Sequence, residues 1–185
     1  KQKTAYEIGV RLVGSEMCIR DSNDIDSFKI VFIDGVYSPF LSKTTHDGKD
    51  ICVLSAALSK DKYKKRIKKY FNKVVPSSES LASLNTSYTK EGAYIYIPKG
   101  VCPEDPVQIM HFSTGNQKSI WLQPRNLIIA DKNAKVEIIE RHQSLSNNRI
   151  LVNSVSEIYC NQRSIVQHYK IQDIYYYLNL RQLLK

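Results

Sequence analysis

Between Gly92 and Gln172 the chain is a ladder of short apolar runs: AYIYIP (93–98), PVQIMHF (106–112), SIWLQP (119–124), NLIIA (126–130), KVEIIER (135–141), RILVNSVSEIYC (149–160) and SIVQHYKIQ (164–172). Each is rich in Ile, Val and Tyr, and several alternate apolar with polar as half-buried strands do. The breaks carry turn residues: Pro98–Gly100, Pro103–Pro106, Thr114–Asn116, Asp131–Asn133, Ser144–Asn148 and Asn161–Gln162. No long helix fits this stretch. The ladder therefore predicts a mainly β body.

Two segments repeat. IIADKNAKVEII (128–139) lies over IYCNQRSIVQHY (158–169), so that Ile128 meets Ile158, Asp131 meets Asn161, Ala134 meets Ser164 and Val136 meets Val166. The shared form is apolar run, Asp/Asn turn, small residue, β-branched strand. Such a period suggests stacked coils of a β-solenoid. A β-sandwich of hairpins is the other arrangement that the pattern allows.

A small α/β head is expected before the ladder. FKIVFIDG (28–35) reads as a strand ending in an Asp-Gly hairpin, with VYSPFLSK (36–43) as the returning edge strand, Pro39 included. THDGKD (45–50) is a loop, and its His46 reads as a solvated histidine. ICVLS (51–55) follows as a short apolar segment. Tyr63, Ile67, Tyr70/Phe71 and Val74 recur at helical spacing, in a helix that Pro76 is expected to end. Ser77 or Ser78 can cap a second helix, with Glu79 in its first turn and Leu81, Leu84 and Tyr88 facing inward. Glu91-Gly92 turns the chain into the ladder.

The formal net charge of +9 suggests nucleic acid, but eight basic residues and one acidic residue lie between Lys60 and Lys73, and the remaining chain is close to neutral. The lysines fill the solvent faces of the first helix and the aromatics fill its apolar stripe, so stacking platforms for single strands are missing. No apolar run approaches the ~20 residues of a membrane span. Cys18, Cys52, Cys102 and Cys160 are far apart and form no CxxC, which argues for free thiols and against a zinc or iron–sulfur site. Cys102 and Cys160 read as small fillers at turns or strand ends.

Among groups that could do chemistry, Glu137, Glu140, Arg141 and His142 sit on or just after one strand. Period two puts Glu140 and His142 on one face and Glu137 on the other. A solvent-facing ladder of charges is the expected arrangement, because no nucleophile or oxyanion device accompanies it. His168 corresponds by the repeat to Ile138 and is expected to be partly buried and hydrogen-bonded. No glycine-rich phosphate loop occurs. The residues assign no catalytic, cofactor-binding or metal position. A carbohydrate-active β-helix, which would need paired acids and aromatic platforms beyond the single Trp121, and a basic nucleic-acid module at Lys60–Lys73 are the alternatives in other classes.

LNTSYTKEGAYIYIPKGVCPEDPVQIMHFST (84–114) resembles the entry into the core of the SufB/SufD family of iron–sulfur cluster assembly scaffolds. The matching residues are Leu84, Asn85, Thr86, Gly92, Ile97, Pro98, Lys99, Gly100, Pro106 and Ile109. PRNLIIADKNAKVEIIERHQSL (124–145) and the segments within 152–172 fit the same core, and FKIVFIDGVYSPFLS (28–42) resembles the SufD branch more than SufB. The resemblance covers roughly 23–173. It implies a right-handed parallel β-helix at 92–173 after an N-terminal α/β region at 23–91. It also implies a cytoplasmic, non-catalytic scaffold that partners SufB and the ATPase SufC, with neither nucleic acid nor membrane. The iron–sulfur cluster would be assembled by the whole complex, with no cofactor bound by this segment. Two stretches depart from the pattern. YEIGVRLVGSEMCIRDS (6–22) resembles translated sequencing-adapter read-through, as in metagenomic gene fragments, so residues 1–22 are expected to be a non-native leader. IYYYLNLRQLLK (174–185) does not continue a coil, as a frameshift or truncated read would explain.

Overall fold

The computed structural model describes residues 27–47, 49–76, 78–114, 119–146 and 149–173. The expected leader 1–22, the tail 174–185 and Ser77 lie outside them. In chain order the elements are β1 (Phe28–Ile33), β2 (Val36–Tyr37), β3 (Asp50–Val53), α1 (Leu54–Leu58), α2 (Asp61–Tyr70), α3 (Ser80–Tyr88), β4 (Ala93–Ile97), β5 (Val107–Ser113), β6 (Ser119–Leu122), β7 (Arg125–Ala130), β8 (Lys135–Ser144), β9 (Arg149–Val152), β10 (Val155–Cys160) and β11 (Ile165–Asp173).

The ladder winds as a solenoid. Every third strand pairs in parallel with its predecessor one coil back: β4, β7 and β10 make one sheet, β5, β8 and β11 a second, and β6 and β9 a third. The sequence repeat is this stacking. Ile128 pairs with Ile158 and Val136 with Val166 in register. The corner between the first two sheets repeats as well. Gly100 (φ 73°), Asn133 (φ 57°) and Arg163 (φ 56°) take the left-handed conformation in successive turns. The Gly100 N–H donates to Lys132 O and the Asn133 N–H to Gln162 O, both at 3.0 Å, so each turn hydrogen-bonds to the next. The sandwich of hairpins is excluded, because hairpins would pair consecutive strands antiparallel.

The interior between the first two sheets is apolar. Ile95, Ile97, Val107, Ile109, Ile128 and Ile138 have no exposed surface. The head is joined to this body. β1 extends the second sheet in parallel beside β5 and carries β2 through the Asp34-Gly35 turn, where both residues have positive φ (49° and 79°), as a two-residue hairpin demands. β3 pairs antiparallel with β4. α1 and α2 cover the outer face of the first sheet through Leu54, Ala57, Tyr63 and Ile67 against Tyr94, Leu127 and Ile129.

Five local expectations are corrected. The returning strand is only Val36–Tyr37, since Ser38 already turns its N–H onto Val31 O at 2.8 Å. α2 ends at Tyr70, short of Pro76, because Asn72 is left-handed (φ 59°) and the N–H groups of Asn72 and Lys73 donate to the Glu157 carboxylate at 2.8 and 3.0 Å. Val74 is consequently exposed rather than part of the stripe. α3 starts after Glu79, whose side chain makes no capping bond, and buries Ala82 and Asn85. Leu81 and Leu84 are half-buried and Tyr88 is exposed, because the Asn85 amide must reach the sheet: it donates to Pro124 O at 3.0 Å and Asn153 O at 2.7 Å. Among the described residues no helix is long and apolar enough to cross a membrane.

Candidate functional site

Along β8 the inward residues alternate strictly, and they change character part-way: Val136 and Ile138 are followed by Glu140, His142 and Ser144, all buried. The solenoid interior thus passes from hydrocarbon to a polar chamber. The Glu140 carboxylate, with no exposed surface, is its centre. His142 Nε2 lies 2.7 Å from Oε1 and His168 Nε2 3.1 Å from Oε2. Lys170 Nζ is 3.0 Å from Oε1. Ser154 and Ser156 donate their hydroxyls at 3.0 and 3.2 Å. Strand stacking brings these groups together, since Glu140 pairs with Lys170 and His111 with His142 between neighbouring coils.

A ring column backs the carboxylate. Phe32, His111 and His142 occupy matching positions on β1, β5 and β8 and stack nearly parallel, with centroids 4.8 and 4.5 Å apart and interplanar angles of 9° and 10°. His111 Nε2 and His142 Nδ1 are buried and have no hydrogen-bond partner among the described residues. A cavity of about 110 Å³ reaches His111 from the surface between Trp121, Tyr88 and Gln123.

The electrostatics are opposed to simple burial. Burial alone raises the Glu140 carboxyl, but hydrogen bonds from His142 and His168 and the Lys170 charge outweigh it and hold Glu140 well below the ordinary carboxylate range. Burial pushes His111 well below its ordinary value, and the neighbouring His142 adds to the effect. A lone ionised carboxylate in such a place is prohibitively costly, so its partners are obligatory. His111, Glu140 and His142 each offer a ligand atom within 4.8 Å of the others, and among the described residues they are the group that could hold a metal ion.

The expected solvent-facing ladder at 137–142 is therefore corrected. Glu137 is exposed and Arg141 half-buried, but Glu140 and His142 are interior. Period two sorts the faces correctly, and the face of Glu140 and His142 is the inward one. Continuing the alternation from Val136 through Ile138 leads straight to Glu140 and His142. His168 is partly buried and bonded to Glu140 as expected, while His111 and Lys170 were missed. The signal for His111 is its pairing position, one coil before His142. His46 is half-exposed beside Tyr63. Cys102 and Cys160 fill nothing, since both are exposed, and Cys52 is the buried one among the described cysteines. On α2 the lysines face solvent. Arg66 alone turns back, donating to Tyr94 Oη at 2.9 Å and lying over the Tyr96 ring at 3.4 Å.

A family model described as "SufBD protein N-terminal region" matches residues 7–109, and one described as "SUF system FeS cluster assembly, SufBD core domain" matches 111–177. The chain belongs to the SufBD family. It is 26% identical over 152 residues to iron-sulfur cluster assembly SufBD family protein slr0076 of Synechocystis, covering 78% of this chain and 34% of that protein. It is 29% identical over 154 residues to the chloroplastic SufBD family protein ABCI8 of Arabidopsis thaliana (78% and 27%), and 30% identical over 147 residues to ABCI9 of the same plant (75% and 30%). The chain thus spans about a third of the length of these relatives.

Three of the residues that carry the resemblance have structural reasons here. Asn85 ties α3 to the two coil starts at Pro124 and Asn153. The Thr86 hydroxyl accepts from Arg125 Nη1 at 3.2 Å. At Gly92 a Cβ would stand 1.7 Å from Arg125 O, so no other residue fits the approach of the two chains.

Proposed function

We propose that this SufBD chain is part of a scaffold subunit of the SufBCD machine, of the SufD type, with SufB and the ATPase SufC as partners. In this reading the chain is not an enzyme. It contributes a stiff solenoid platform, and the nascent iron–sulfur cluster is the cargo of the assembled complex. The observation that carries the reading is the order of the two family matches, N-terminal region then core, laid over a continuous parallel solenoid. The described surface supports it in two further ways. The lysines of α2 lack interleaved free aromatics, because Tyr63, Tyr70 and Phe71 pack beneath the helix. Trp121 has only Tyr88 as an aromatic neighbour, and the acids beside it are engaged: Asp34 accepts from Thr114, and Glu91 from Ser55 and Gly92.

The test is co-expression of the full-length gene, tagged, with the SufB and SufC genes of its source. The expected result is co-elution of all three, with ATP hydrolysis lost when SufC is omitted. Elution of the tagged subunit alone, while SufB and SufC elute together, overturns the reading.

A further inference from the structure

We propose that His111, Glu140 and His142 form a binding site for one divalent first-row transition-metal ion, and that the Lys170 ammonium holds the carboxylate when the ion is absent. The inference goes beyond the scaffold reading and does not depend on it. Two imidazoles and one carboxylate are a borderline donor set suited to such ions, and three protein ligands leave positions open for water.

Three observations carry it. The ligand atoms already lie within 4.8 Å of one another, whereas tetrahedral ligands with bonds of about 2.1 Å stand ~3.4 Å apart, so closure is a side-chain adjustment of up to about 1.5 Å. Next, His111 Nε2 lacks a partner although the residue is only 4% exposed, and His142 turns its Nε2, the nitrogen an ion would take, onto Glu140. Buried polar atoms are almost always paired, so the orphan on His111 asks for an occupant. Finally, a cavity of about 110 Å³ is lined by His111, though not by Glu140 or His142, and by Gln123, whose amide nitrogen is also buried without a partner. It has room for several waters, which suits a hydrated ion.

Lys170 decides the charge. Its ammonium, with Glu140, makes a neutral buried pair at 3.0 Å. A divalent ion added beside both would leave two uncompensated positive charges in a buried chamber, so ion and ammonium exclude each other. Lys170 comes from β11, the outermost described strand of its sheet, and its side chain is 17% exposed, so its flexible stem has a way out to solvent. His168 and the two serine hydroxyls remain to orient the carboxylate, as supporting partners do at metal sites.

The test is a Co²⁺ titration of the whole chelator-treated chain near neutral pH, followed by visible absorption. The expected result is saturation at one equivalent without thiolate-to-cobalt charge transfer. Glu140→Gln and His111→Phe, the latter keeping the ring stack, should each weaken binding by about 100-fold, the upper end of losses seen even for supporting groups. Lys170→Met should tighten it by about tenfold, the size expected for removing one competing charge-assisted contact. Circular dichroism establishes that each variant is folded; if Glu140→Gln is not, the comparison of wild type with Lys170→Met and His111→Phe decides. No saturable band in wild type and Lys170→Met, a band unchanged by the folded ligand variants, or a cysteine charge-transfer band would each overturn the proposal.

Discussion

Arg125 Nη2 and Glu157 Oε1 lie 2.6 Å apart, with neither side chain exposed to solvent. They sit one coil apart on the outer face of the first sheet, beneath the helices. The pair is a hub. The guanidinium also donates to Asn72 and Asn85, and the carboxylate accepts the N–H groups that end α2. Removing one partner leaves a buried charge, and Glu157→Gln is expected to destabilise the fold by about 3–5 kcal/mol. Arg125→Met should cost a similar amount, and the double variant less than the sum. Urea unfolding of the four proteins checks this; additive costs would show that the two residues do not act as a unit.

Gly92 is expected to tolerate nothing. Its missing Cβ would stand 1.7 Å from Arg125 O and 2.5 Å from Arg125 C, both backbone atoms that cannot turn aside. Gly92→Ala must separate the start of β4 from β7, at a cost of about 3 kcal/mol or more, the upper range for overpacking. The loss should appear as a lowered thermal midpoint, or as insoluble protein. Gly100→Ala, with open space around its Cβ position, should cost only the strain of its φ of 73°.

Alkaline pH should loosen the seam between α2 and the first sheet. Burial pushes Tyr63 up to about 12, aided by its hydrogen bond to Asp50, and burial likewise pushes Tyr94 up to about 12 against the lowering effect of Arg66. Both folded values lie above the ordinary 10.0, so the stability they contribute is complete below pH 10 and is lost as pH rises toward 12. The thermal midpoint is expected to fall through this window, and less steeply in Tyr94→Phe. Identical slopes would contradict the assignment.

Thiol reactivity should sort by burial. Cys52 is 3% exposed, and burial with the nearby Asp50 carboxylate raises it to about 11, so little thiolate forms near pH 8. Cys102 and Cys160 are exposed. Iodoacetamide followed by peptide mapping should modify Cys102 and Cys160 in the folded protein and Cys52 only after denaturation. Early labelling of Cys52 would show that β3 opens readily from β4.

Much of the β body was legible from residues because its signals are local. Asp-Gly and Asp/Asn turns set the corners, β-branched runs make the rungs, and Ile128 over Ile158 is both a sequence repeat and a hydrogen-bonded pair. The same alternation held the clue to Glu140, but a glutamate and a histidine on one face look like a wet surface until their partners are known. Those partners come from elsewhere: His111 from the previous coil, Lys170 and His168 from the next, Ser156 from the adjoining sheet and Ser154 from just before that strand. Leu81, Leu84 and Tyr88 mislead for a related reason, since α3 is turned by one amide reaching two carbonyls.

By itself, the sequence determined the strands, their corners and the coil period, since turn chemistry and side-chain alternation act within a few residues. Only the tertiary structure decided which charges go inside. Burying Glu140 or Arg125 is possible only where several distant groups converge on it, because the desolvation of a charge must be offset within the same few ångströms. That convergence is produced by the stacking of coils about 30 residues apart, and no single stretch of the chain contains it.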